Sequence, residues 1–116
     1  MEFSQILRLQ SEFDAQHRSR EVWNTPITKD NVEVLEHLLV CLIGEIGECA
    51  NIAKKIVRGD MEYEDSKPEL ASELADSFIY LIKICNQAGI DLEHEFLERL
   101  NYNRQRFKRY LSAEKS

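Results

Sequence analysis

Two acidic pairs set inside apolar helical patterns constrain this chain more than any other feature of it. Glu45 and Glu48 interrupt the apolar region from Leu38 to Ile56, and Glu73 and Asp76 stand among Leu70, Leu74 and Phe78. The members of each pair are three residues apart, so on a helix they share a face. Four carboxylates facing one another across two packed helices form an expensive anionic cluster unless a cation sits among them. Magnesium suits such a set, because it takes oxygen ligands and keeps several waters. One or two ions could bridge the carboxylates to a polyphosphate and leave a polarised water for attack. Spacing alone fits solvent-facing helix surfaces at least as well, and the apolar setting is what argues for a site.

The same period lays out four helices. The first runs from about Ser4 to Arg18 on an imperfect stripe of Phe3, Ile6, Leu7, Leu9 and Phe13, and a linker through Trp23, Pro26 and Thr28 follows. Asp30 and Glu33 have capping-box spacing for a second helix that reaches Arg58 and stops at Gly59-Asp60. Gly44 and Gly47 lie inside it, where glycine costs about 1 kcal/mol relative to alanine, so close helix packing or ligand approach is expected there. Ser66-Lys67-Pro68-Glu69 predicts the start of a third helix ending at Gly89, and Asp91 caps a fourth that carries Leu92, Phe96, Leu100, Phe107 and Leu111. Short connections after the first helix predict antiparallel packing. The expectation is an all-α, four-helix fold forming one domain over 1–116, with 112–116 as a frayed tail.

Charge and cysteine usage narrow the function classes. With 15 basic and 21 acidic side chains the formal charge is −6, which argues against a general nucleic-acid or anionic-membrane surface and leaves room for a local phosphate site. The sequence has no uninterrupted apolar run of about 18 residues and no basic-led apolar leader, so neither membrane spanning nor secretion is expected. Cys41, Cys49 and Cys85 are odd in number and lack CxxC spacing, as expected of reduced thiols in a cytoplasmic protein.

Glu45-Ile46-Gly47-Glu48, then Glu73-Leu74-Ala75-Asp76 with the following Ser77-Phe78-Ile79-Tyr80-Leu81, resemble the ExxE and ExxD blocks of the MazG-like, all-α nucleoside triphosphate pyrophosphohydrolases. Within that family the small dCTP pyrophosphatase branch looks most similar. In the fourth helix Arg99, Asn103 and Arg106 match the family's KxxxNxxR segment, with arginine at the lysine position. The resemblance implies a four-helix MazG-like subunit, assembled as a dimer or tetramer. It implies magnesium-dependent hydrolysis of a nucleoside triphosphate substrate to monophosphate and pyrophosphate, with Glu45, Glu48, Glu73 and Asp76 as metal ligands and catalytic acids. Arg99, Asn103 and Arg106 would bind phosphate, with Lys54 and Lys55 as lesser candidates. Trp23, His17 and Phe13 occupy the region that similar proteins use near the nucleobase. Two competing readings are a related hydrolase acting on another phosphoanhydride and a noncatalytic helical protein whose apolar faces form a dimer.

Overall fold

The computed structural model describes residues 1–17 and 22–111. Four α-helices follow one another: α1 (Phe3–Gln16), α2 (Val32–Arg58), α3 (Tyr63–Ala88) and α4 (Leu92–Arg106), with a short 3-10 turn at Lys108–Tyr110. The two long helices α2 and α3 form a hairpin across Gly59–Glu62, and α1 lies against α3. Both long helices end as the sequence predicts. Gly59 and Gly89 take left-handed φ values of 90° and 70°, which a side-chain-bearing residue adopts only under strain. Asp91 caps α4 by accepting a 3.0 Å hydrogen bond from the His94 backbone N–H.

The core is small and lies between α2 and α3. Val34, Leu38 and Ile84 are buried together, with Val22, Ile27, Leu35, Leu42 and Tyr80 packed around them. α3 also ties down the chain between α1 and α2. The Ile27 N–H donates to the Gln87 carbonyl at 2.8 Å, and Gln87 Nε2 donates to the carbonyls of Val22 and Thr25 at 2.7 and 2.9 Å. Asn86 Nδ2 reaches the Leu7 carbonyl of α1 at 2.9 Å.

Several expectations shift. α2 starts at Val32 with Asn31 at its cap, and Asn31 Oδ1 is engaged by the Thr28 N–H and hydroxyl, so the expected Asp30/Glu33 box does not set this terminus. α3 begins at Tyr63, upstream of Ser66. Glu64 and Asp65 in its first turn complement the helix dipole, and Ser66 is a buried helical residue whose hydroxyl donates to the Glu62 carbonyl at 2.7 Å. Pro68 therefore lies within the helix, in its second turn, where its missing N–H costs the backbone bond to the Glu64 carbonyl. α1 ends at Gln16, and the expected end at Arg18 falls outside the described residues, as does the tail at 112–116. α4 stops at Arg106, so Phe107 and Leu111 follow the helix rather than extend its stripe. Among the described residues α4 packs substantially only on the 3-10 turn after it, leaving Phe96 and Leu97 more than half exposed at 61% and 55%. The fold is all-α with four helices, but within one chain the fourth stands away from the other three.

Candidate active site

The hairpin brings Glu45 of α2 and Glu73 and Asp76 of α3 together, each offering a carboxylate oxygen within 4.8 Å of the others. The i,i+3 spacing of Glu73 and Asp76 aims both at the same stretch of α2, and the buried Ser77 hydroxyl donates to the Glu73 carbonyl at 2.9 Å beneath them. Glu45 and Glu73 are half-buried and Asp76 is exposed, so the group opens to solvent on one side. Glu48 is exposed on the next turn of α2 and outside this group, although its charge is felt at Glu73.

Glu73 reports the strain of the arrangement. Its carboxyl is held above the usual range, first by a side-chain hydrogen bond with Glu45, then by desolvation, then by the charges of Glu45, Asp76 and Glu48. A shared proton is how crowded carboxylates relieve their repulsion when no cation does so. An all-oxygen donor set of this kind fits a hard divalent ion such as magnesium.

A cleft of about 390 Å³ opens beside the acids, lined by Gln10 and Phe13 of α1, by Trp23, by Glu45, and by Asp76, Ile79, Tyr80 and Lys83 of α3. That size lies in the ordinary range of small-molecule sites, roughly 300–1,000 Å³. Aromatic rings gather at its α1 side. Phe13 and His17 stack with centroids 4.1 Å apart, and Trp23 lies 6.1 and 6.2 Å from them. His17 is exposed, its Nδ1 is 2.7 Å from the Phe13 carbonyl, and it does not line the cleft. Burial pushes the Tyr80 hydroxyl above its ordinary range, with nearby Cys41 adding to the effect.

Of the residues singled out by sequence, the chain places Glu45, Asp76, Phe13 and Trp23 on the cleft, with Glu73 adjoining it through the acid group. Arg99, Asn103 and Arg106 are elsewhere. Arg99 and Arg106 lie over the rings of Tyr102 and Phe107, at 4.7 and 4.9 Å, and no α4 residue lines the cleft. Lys54 is exposed and Lys55 half-buried toward the end of α2, away from the cleft lining. Gly44 and Gly47 are exposed as well, and a Cβ at either would meet nothing within 4 Å, so the expected close approach does not occur within one chain.

Sequence reading passed over a buried polar group. Lys83 and Asp14 form an ion pair of 3.2 Å with both side chains only 3% exposed, Gln10 Nε2 donates to Asp14 Oδ1 at 3.0 Å, and Lys83 Nζ stands 3.3 Å from the Trp23 ring centre. Desolvation pulls the Lys83 pKa below the ordinary lysine value, opposed by Asp14. One signal was available: Asp76, Tyr80, Lys83 and Gln87 recur at helical spacing, so Lys83 is a charge on the active face of an otherwise apolar run from Phe78 to Cys85.

Comparison with known proteins bears on this geometry. No family model and no solved structure matches the chain. Similar in sequence is "dCTP pyrophosphatase 1" of Homo sapiens, 30% identical over 115 residues, which cover 96% of this chain and 62% of that protein. The Rattus norvegicus protein of the same name is 30% identical over 111 residues, covering 92% of this chain and 59% of that protein. The chain is homologous to the dCTP pyrophosphatases of the MazG-like family. A phage relative, the "Gene 37 protein" of Mycobacterium phage L5, is 32% identical over 74 residues, covering 62% of this chain and 65% of that protein. The chain thus spans about three-fifths of the length of the mammalian relatives. No helix among the described residues is long and apolar enough to cross a membrane.

Proposed function

We propose that this chain hydrolyses a nucleoside or deoxynucleoside triphosphate to the monophosphate and pyrophosphate with magnesium as cofactor, in a reducing, cytoplasmic setting. The observation that carries the reading is the convergence of Glu45, Glu73 and Asp76 within 4.8 Å at the mouth of an aromatic-walled cleft. Homology to proteins named for dCTP hydrolysis supports it.

Glu45, Glu73 and Asp76 are the residues that would hold the ion. Bound there, magnesium supplies neutralisation of phosphate charge and a water of lowered pKa. The hairpin holds its three acids at fixed separation, so little reorganisation is needed on loading. Glu48 is the nearby carboxylate outside the group, and it accepts the proton of the attacking water. The water oxygen bonds to the α-phosphorus, the bond from that phosphorus to the β-phosphate's bridging oxygen breaks, and pyrophosphate leaves. Aromatic side chains of Phe13 and Trp23 border the base end of the cleft.

Phosphate-binding cations are the part a single chain leaves incomplete. Arg99, Asn103 and Arg106 stay in the reading as phosphate ligands only in a homo-oligomer, where a second copy can bring α4 to the cleft.

The test is product analysis with a panel of NTPs and dNTPs and magnesium. Monophosphate plus pyrophosphate, reduced roughly 10²-fold or more in Glu73→Gln and in Glu48→Gln, is the expected result. Orthophosphate as the first product, or no turnover across the panel by folded, magnesium-loaded protein, would sink it.

A further inference from the structure

Lys83 is an unusual residue to find buried in the lining of the cleft. Replacing a buried ion pair by well-packed apolar side chains is often neutral or stabilising, so stability alone gives little reason for Lys83 and Asp14 to be buried together. Position gives a better one. Both Lys83 and Gln10 line the cleft that begins at Glu45 and Asp76. Lys83 follows Asp76 by two helical turns on the same face, about 10 Å along the axis at ~1.5 Å per residue. A nucleotide whose phosphates sit over the acids and whose base enters the cleft brings that base toward this ammonium.

The ammonium is held from two sides. Asp14 takes one of its N–H groups at 3.2 Å, and the Trp23 ring covers it at 3.3 Å, with the Tyr80 ring centre 5.5 Å away. Gln10 fixes Asp14 in turn. With the ammonium on one face of the indole, Trp23 clamps Lys83 there and offers that face to no base. An ammonium has three donors and no acceptor, so what it offers a ligand in the cleft is a charged hydrogen-bond donor. Cytosine, uracil, thymine and guanine carry a carbonyl oxygen that can accept it, whereas adenine offers only ring nitrogens and presents an amino donor where guanine has its carbonyl.

We propose that Lys83, clamped by Asp14 and Trp23, is a specificity-determining residue that donates a hydrogen bond to a carbonyl oxygen of the substrate's base, so that carbonyl-bearing bases are selected over adenine. This rests on the nucleotide-hydrolase reading and deepens it.

The experiment compares kcat/KM for dCTP, dTTP, dGTP and dATP in the wild-type, magnesium-loaded protein and in Asp14→Leu/Lys83→Met, which removes both ends of the pair and avoids stranding a buried charge. Thermal melting checks that the variant is folded. Wild type should favour each carbonyl-bearing base over adenine by roughly tenfold to a hundredfold, and the variant should bring those ratios close to one. A folded variant that keeps the wild-type ratios, or a wild type that turns over dATP as well as the others, overturns the assignment. Trp23 is the chain's one tryptophan. Its fluorescence, titrated with dCMP, dTMP, dGMP and dAMP, reads base preference without turnover. Carbonyl-selective binding that the double substitution abolishes, in a protein that hydrolyses nothing, would fell the hydrolase reading and uphold Lys83. Equal affinities for all four would overturn Lys83 even in an active enzyme.

Discussion

At Glu73 the chemistry of the site is readable as a titration. Its folded carboxyl pKa lies above the ordinary value of 4.5, so the folded, metal-free chain binds a proton there more tightly than the unfolded chain does. That contribution to stability is fully present below pH 4.5 and is lost as pH rises through the elevated folded value. Melting of metal-free protein between pH 4 and about 8 should therefore show a loss on the alkaline side that Glu73→Gln removes. Magnesium at a hundredfold excess over its Kd should restore the loss near neutral pH and raise Tm by roughly 8–16 °C, by mass action on the folded state. A Tm indifferent to both pH and magnesium would show that the acids neither share a proton nor bind the ion. All four acids were legible from i,i+3 spacing inside apolar helices, because that spacing fixes the side-chain direction, whereas which three of them converge was not. Lys83 and Asp14 were not legible, since their meaning depends on 68 residues of intervening chain bringing α1 against α3.

Elements set what those residues can reach. The α2–α3 hairpin positions the acids, whereas Trp23 lies in a turn outside the helices, in a segment held chiefly by Gln87. Gln87→Leu removes the donor that two linker carbonyls share and should lower stability by about 1–3 kcal/mol. It should also change Trp23 fluorescence, because the ring would leave the Lys83 ammonium. A variant with an unchanged emission spectrum would show that the Trp23–Lys83 contact, not Gln87, holds the linker. Helix stops were readable from glycine alone, since Gly59 and Gly89 supply the left-handed residue a helix end uses. The start of α3 was not. Ser66 and Pro68 look like a helix start in isolation, but Glu64 and Asp65 let the helix begin a turn earlier.

For the whole molecule, size is the informative quantity. The Cα radius of gyration is 18.0 Å, against roughly 13 Å for a compact domain of this length. The accessible surface of 8947 Å² exceeds the roughly 6,600 Å² expected of a folded monomer of 13.6 kDa. The surplus is larger than the ~800 Å² a standard interface buries on each side. Apolar surface is exposed where it would be covered by a second copy: Phe96 and Leu97 on α4, and Val40 and Ile43 beside the open backbone of Gly44 and Gly47 on α2. Light scattering on the eluted protein should give a mass of two or four chains of 13.6 kDa. Ile43→Asp and Phe96→Asp should each shift the mass downward, and a monodisperse monomer in the wild type would refute assembly. By itself the sequence determined the helical period, the helix ends and the acidic pairs, because each depends on neighbours within a few residues. Only the tertiary structure decided that Lys83 meets Asp14 and Trp23, that Glu48 stands outside the acid group, and that α4 leaves its own chain's cleft. Those outcomes depend on which distant surfaces win the competition for burial, and no local pattern encodes that competition.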